Sequence, residues 1–200
     1  IPYTAAGAER VASAGPAFGG RRGSDGPEDR SLWERCITHS PLPRLSSGYN
    51  NNLQIVQGAG TVAIVYEMIH EVRVIPVDGR PHAGPGLRQW FGDSRGRWEG
   101  DTLVVETTNF SDKTSFRGAT PQVRMVERFK REGSVLNYEF TIDDPATYTK
   151  PWTAAVPMPA VDGHMYEYAC HETNYGMYGI LSGARAQERE AAAAAKKGSR

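Results

Sequence analysis

The sequence lacks long apolar runs and any excess of charge of one sign. It contains no run of about 18 apolar residues, the length that a transmembrane helix needs. Lysine plus arginine and aspartate plus glutamate both total 23, so the chain has no net field to attract nucleic acid or an anionic membrane. We therefore expect neither a membrane span nor a nucleic-acid partner.

Short motifs that mark several enzyme classes are also missing. There is no Gly-x-Ser-x-Gly, no Gly-x-Gly-x-x-Gly and no P-loop, which removes the usual signals of serine hydrolysis, dinucleotide binding and phosphoryl transfer. No two of the five histidines have the i, i+2 or i, i+4 spacing that places two metal ligands on one face. We expect no cofactor. A metal site would have to be assembled by the fold alone, from His70, His82, His171 and Glu127.

The length and the 39% hydrophobic content suit one domain with a sizeable core. Residues 1–30 show neither strand nor helix periodicity and lack the pattern of a signal peptide, so we expect an extended or mobile arm. The domain should cover 31–190, with a tail at 191–200. Ser31 and Glu34 have the spacing of a capping box, which predicts one or two helical turns there.

What the sequence does contain is a series of short strands separated by turns. In the segment 97–108 a Glu-Gly-Asp turn is followed by a β-branched run, the pattern of a hairpin. Similar runs predict strands at 53–57, 61–68, 69–77, 122–130, 135–142, 152–158 and 164–170, and a helix at 178–195. The fold class is therefore mainly β. We expect a closed antiparallel β-barrel, lipocalin-like (calycin-like), because closure removes exposed edges; a sandwich is the alternative.

Alternation along a strand predicts which polar side chains share a face with apolar ones. In 122–131, Glu127 lies on the register of the apolar residues. In 61–77, read as one continuous register, His70 does the same, and Asn109 follows the apolar face of the Trp98 hairpin. We therefore expect these three polar side chains to point into one interior.

An interior carboxylate and imidazole can move a proton, because burial raises the pKa of the first and lowers that of the second. The hypothesis is an acid-base enzyme, a lyase, hydratase or isomerase, that acts on a small aromatic or sugar-like compound. The candidate catalytic residues are Glu127, His70, His171 and Glu172. The candidate substrate-binding residues are Arg73, Asn109, Tyr66, Trp98 and Asn174.

Several alternatives stay open. The buried polar groups could only satisfy one another, since an unpaired one costs about 1 to 3 kcal/mol. The same fold could be a non-catalytic small-molecule carrier, or a metal-dependent enzyme with histidine ligands. His171 could anchor the start of the C-terminal helix, and Asn50, Asn51 and Asn52 could form a turn or bind a sugar or carbonyl. The sequence leaves the oligomeric state open, a homo-oligomer included.

Four segments carry distinctive motifs: GYNNN at 48–52, EMIHEVRVIPVDGRPH at 67–82, GDSRGRWEGDTLVVETTNF at 92–110 and YEYACHETNYG at 166–176. In these segments the chain resembles an uncharacterised family of exported bacterial proteins from soil and environmental genomes. The resemblance covers residues 26–187 and brings no established activity. It implies a periplasmic or secreted protein. It also implies an upstream signal peptide and a Gly-x-Trp-type first strand, so that a chain starting at Ile1 would be processed or truncated.

The chain has two cysteines, Cys36 and Cys170, and neither lies in a Cys-x-x-Cys motif. Export, as the resemblance implies it, favours a disulfide between them. A bridge that closes so long a loop could stabilise the fold by about 4 kcal/mol in the chain-entropy model. The alternative is a pair of buried thiols.

Overall fold

Eight strands follow one another in the computed structural model, which describes residues 1–14, 23–39, 42–45, 48–113 and 115–198. They are β1 (Leu53–Gly58), β2 (Thr61–Tyr66), β3 (Val72–Pro76), β4 (Asp93–Glu99), β5 (Thr102–Thr108), β6 (Arg124–Glu132), β7 (Val135–Asp143) and β8 (Trp152–Pro159). They form two antiparallel sheets in sequential order, β1-β2-β3 and β4-β5-β6-β7-β8. The helices are α1 (Ala5–Ser13) and α2 (Tyr175–Gly198). The prediction of a mainly β, antiparallel fold is confirmed.

Two of the tight hairpins turn at glycines. Gly100 joins β4 to β5 and Gly133 joins β6 to β7, with φ angles of 62° and 60°. This left-handed conformation costs glycine nothing, because it has no Cβ to clash with the backbone. The hairpins that the sequence predicted at these two turns are therefore formed.

The two sheets share one hydrophobic core, to which both contribute alternate side chains. Ile64 and Ile75 from the three-stranded sheet and Met125, Phe140 and Ile142 from the five-stranded sheet are fully buried. The sheets meet where β4 passes β3. A Cβ on Gly96 would come within 2.9 Å of Ile75, so the absence of a side chain at Gly96 lets the strands approach.

A closed barrel is not confirmed. In the described part of the chain, β3 and β4 lie side by side without forming a ladder, and β8 forms none with β1. A tight hairpin would have aligned β3 and β4 for backbone hydrogen bonding, but the connection between them, over 77–92, is too long to form one. The edges of β1 and β8 stay open.

The N-terminal arm is not extended throughout, because α1 forms in it. Thr4 caps this helix by accepting a hydrogen bond from the Gly7 amide at 3.0 Å. Gly7 is buried against the backbone of Thr147, and Tyr3 pairs with Tyr148 in an antiparallel bridge. The first part of the arm thus lies against the domain, and residues 15–22 of the predicted arm lie outside the described residues.

Two other local predictions need correction. Residues 164–170 do not form a strand; their hydrogen bonding is local, for example from Cys170 N to Tyr168 O at 2.8 Å. The capping box of Ser31 and Glu34 is present, with Ser31 N donating to Glu34 Oε2 at 2.9 Å, but it closes turns and no regular helix. The C-terminal helix is confirmed and longer than predicted, so 191–198 belong to α2.

Candidate functional site

The connection between β2 and β3 decides which polar residues enter the core. It contains a 3₁₀ turn over Met68–His70, in which Ile69 and His70 have positive φ angles of 60° and 43°. Because Ile64 pairs with Arg73, odd-numbered residues of β3 share the core face with even-numbered residues of β2. The expectation that His70 points inward is therefore wrong, and Arg73 is buried instead, at 3% exposure.

Arg73 and Glu127 form an ion pair in the core. The Glu127 side chain is only 1% exposed, as its register predicted, and it accepts hydrogen bonds from both Nη atoms of Arg73. Arg73 also donates to Ser94 Oγ at 3.0 Å and to Thr107 Oγ1 at 2.7 Å. Tyr138 OH donates to Glu127 Oε1 at 2.9 Å. Both the Arg73 guanidinium and the Glu127 carboxylate thus have hydrogen-bond partners within the protein.

The electrostatics of this cluster favour fixed protonation. Burial would lower the pKa of Arg73, but the facing Glu127 carboxylate raises it above its usual value. Burial, and then the Glu127 charge, raise the pKa of Tyr138 well above its usual value. Arginine and tyrosine hence keep their protons at neutral pH. The cluster has the chemistry of a structural ion pair.

A cleft lies between β1 and β8, the two strands at the open sheet edges. Its volume is about 580 Å³. Leu53 and Ile55 of β1 form one wall, and Val156 and Met158 of β8 form the other. Tyr66 also lines it. Its lining is mostly apolar, so the arrangement suits a small molecule with an apolar body.

The polar groups of the cleft come mainly from the loop before β1. Asn50, Asn51 and Asn52 line it beside His39 and Arg44. Burial, and then the Arg44 charge, lower the pKa of His39 to about 4, so this imidazole is neutral at pH 7. Burial also lowers the pKa of Arg44 to about 10, which leaves it charged. The three asparagines thus add polar amide groups to this side of the cleft, and a role in binding a sugar or carbonyl stays a prediction.

Arg44 is engaged within the protein. Its guanidinium forms an ion pair with Glu71 and lies over the rings of Tyr66 and Phe91, 5.1 and 5.4 Å from their centroids. Both side chains of the ion pair are less than a tenth exposed. Arg44 therefore fixes the loop to the β2–β3 turn. Its positive charge is neutralised by Glu71 within the protein.

The other predicted site residues do not converge on the cleft. His171 and Glu172 are exposed in the segment before α2, and Asn174 caps that helix by accepting from Met177 N at 3.3 Å. Trp98 is 46% exposed at the end of β4. Asn109 donates to Ala83 O at 3.0 Å and does not line the cleft. The expected convergence of these residues on one interior is wrong, because most lie on connections whose direction no strand register fixes.

The histidine metal site is not assembled either. His70 lies 3.3 Å from Tyr168 O through Nδ1, and His82 is 2.9 Å from Asp93 Oδ2. Glu127 is held by Arg73 instead. In the described ranges, no three His, Cys, Asp or Glu side chains lie close enough together to hold a metal ion.

Four polar residues of the cleft were not predicted from the sequence: His39, Arg44, Arg131 and Ser134. Arg131 has the odd-numbered register of Glu127 and Phe129 in β6, and extending that register by one more step would have found it. No sequence pattern marks His39 or Arg44, since both lie in an irregular loop. The position of Arg44 depends on its contacts with Tyr66 of β2 and with Glu71, whereas His39 lies edge-on to the ring of Trp33.

Cys36 and Cys170 form a disulfide, with their Cα atoms 5.8 Å apart, so the predicted pairing is confirmed. No helix in the described part of the chain is long and apolar enough to cross a membrane. The family resemblance of the four motifs stays a prediction: comparisons with protein-family models, with curated proteins and with solved structures found no match.

Proposed function

We propose that this protein is a small-molecule carrier that binds a compact, largely apolar compound in the cleft between β1 and β8. The observation that carries the proposal is the cleft itself. Its volume of about 580 Å³ falls in the range of ligand pockets, and apolar side chains form most of its walls. A few amides and charged groups at one side would orient the ligand, as in most such pockets.

The edge of β8 argues for a compact ligand and against an added peptide strand. Ala160 N donates to Ser134 O at 2.7 Å, so even-numbered residues at this end direct their N–H groups toward β7. Odd-numbered residues direct theirs toward the cleft, but these are Pro157 and Pro159, which have no N–H. A strand added along this end of β8 would lack the hydrogen bonds that N–H groups at these two positions would donate.

The positions of the polar residues favour binding over acid-base catalysis. Glu127 is held by Arg73 and does not line the cleft, and His70 is exposed outside it. The titratable side chains among the described lining residues are His39, Arg44, Tyr66 and Arg131. This set contains no carboxylate to work with the imidazole, so the lyase or isomerase hypothesis becomes the second choice.

The proposal includes the shape and the location of the protein. Eight sequential antiparallel strands around one core, with a cleft at the gap, support an opened relative of a lipocalin-like barrel, in which a ligand enters where closure is incomplete. The disulfide supports a location in the periplasm or outside the cell, because such bonds persist in oxidising compartments.

Binding can be tested with N-phenyl-1-naphthylamine, a neutral apolar dye whose fluorescence rises in apolar sites. We expect saturable binding to the wild type. Val156→Trp fills the cleft and should weaken binding at least about tenfold, which corresponds to 1.4 kcal/mol.

Val74→Trp is the matched control, because Val74 is 60% exposed on the outer face of β3. It should leave dye affinity unchanged, and circular dichroism checks that both variants fold. Absence of dye binding to the wild type, or equal affinity of the Val156→Trp variant and the wild type, would overturn the proposal.

A further inference from the structure

We infer, on the basis of the proposed binding function, that the ligand of the cleft is amphipathic and that its anionic group binds Arg131. The first observation is the charge of the cleft. Its described lining residues include two arginines, Arg44 and Arg131, and no aspartate or glutamate. His39 is neutral at pH 7, because burial lowers its pKa. The lining is therefore cationic at neutral pH.

The two arginines differ in how their charge is matched. Glu71 is paired with Arg44 and neutralises it within the protein. No ion pair among the described residues includes Arg131, and its side chain donates one hydrogen bond, from Nε to Gly133 O at 3.0 Å. Arg131 is exposed, and among the described residues neither of its Nη atoms has a hydrogen-bond acceptor, so both can donate to a ligand. It is the unmatched cation of the described lining.

The register places this cation at one end of an apolar row. Arg131 pairs with Leu136 across β6 and β7, and Leu136 pairs with Met158 across β7 and β8. Arg131, Leu136 and Met158 all line the cleft. A ligand whose apolar body lies along Leu136 and Met158 would therefore bring its polar end to Arg131.

The chemistry of the guanidinium defines the group that it would take. Arginine presents its N–H donors in a planar fork that matches the oxygens of a carboxylate, sulfate or phosphate. Ser134, which also lines this end of the cleft, adds a hydroxyl. The geometry thus fits an organic acid with an apolar body, such as an aromatic or aliphatic carboxylate.

Two dyes of similar apolar body separate this inference from the proposed function. 8-Anilinonaphthalene-1-sulfonate carries a sulfonate, whereas N-phenyl-1-naphthylamine is neutral. In Arg131→Gln we expect affinity for the anionic dye to fall about tenfold, which corresponds to about 1.4 kcal/mol, because a charge-assisted hydrogen bond is lost. Affinity for the neutral dye should stay within twofold.

Arg128→Gln is the matched control, because Arg128 lies on the opposite face of β6 and pairs with Glu99. It should leave both affinities unchanged. Added salt should weaken binding of the anionic dye to the wild type more than its binding to Arg131→Gln. If the neutral dye fails to bind the wild type, the binding function itself is wrong. If the neutral dye binds but Arg131→Gln and Arg128→Gln have equal affinity for the anionic dye, only the assignment of Arg131 is wrong.

Discussion

At the scale of single residues, the most unusual feature is the ion pair of Arg73 and Glu127 inside the core. Removing two charges from water costs several kcal/mol for each, and the pair is tolerated because Ser94, Thr107 and Tyr138 complete its hydrogen bonds. Register along β6 predicted that Glu127 is buried. The register of β6 could not predict the partner of Glu127, because Arg73 lies in the other sheet. In addition, the sequence pattern placed Arg73 on the outward face of β3.

A first prediction follows from this pair. Glu127→Gln leaves the Arg73 charge without a counter-ion in the core, so we expect a loss of about 3 kcal/mol in the free energy of unfolding. Urea denaturation followed by circular dichroism measures it. Binding of the neutral dye at 25 °C should persist, since Glu127 does not line the cleft.

Glu106→Gln is the control, because Glu106 pairs with an arginine that is half exposed, and such a pair contributes less than about 1 kcal/mol. Equal destabilisation by the two substitutions would contradict the assignment of the buried pair. A selective loss of a measured turnover in Glu127→Gln, without loss of stability, would instead restore the catalytic hypothesis.

At the scale of elements, hairpins were predicted well where glycine marks the turn and poorly where it does not. Gly100 and Gly133 mark two hairpins that the structure contains. The turn between β2 and β3 contains Met-Ile-His, which resembles strand sequence, so that the segment 61–77 was treated as one register. Because the turn between β2 and β3 was not recognised, the side chains of β3 that were predicted to face inward face outward, and the reverse.

The strain in this turn can be measured. His70 is exposed and has a φ of 43°, a conformation that costs a residue with a Cβ about 1 kcal/mol relative to glycine. We therefore expect His70→Gly to be more stable than His70→Ala by about 1 kcal/mol in urea denaturation. Both variants lose the imidazole, so the difference isolates the backbone. A more stable alanine variant would show that the turn does not have this conformation.

At the scale of the whole molecule, one covalent link joins distant parts of the chain. The disulfide connects the turn after Ser31 to the segment before α2, across 134 residues. It therefore restricts the unfolded chain over most of its length. Two cysteines allow only one intramolecular pair, and the resemblance to exported proteins favoured its oxidation to a disulfide.

We expect Cys36→Ser with Cys170→Ser to lower the free energy of unfolding by about 4 kcal/mol, the upper end of what a disulfide typically contributes, because this link closes a long loop. Urea denaturation of the oxidised wild type and the double variant measures the difference. Reduction of the wild type should have a similar effect. Alkylation of two thiols in the unreduced, denatured wild type would show that the bridge is absent.

The sequence by itself determined the strand class, most hairpins, the long C-terminal helix, the disulfide partners and the inward position of Glu127. These depend on turn chemistry, alternation along one strand and the cysteine count, all of which act locally or leave a single choice. Only the tertiary structure decided that Arg73 is buried, that β1 and β8 do not pair with each other, and that His39, Arg44 and Arg131 line one cleft. Those outcomes depend on how two sheets and an irregular loop pack together, and no local pattern encodes that packing.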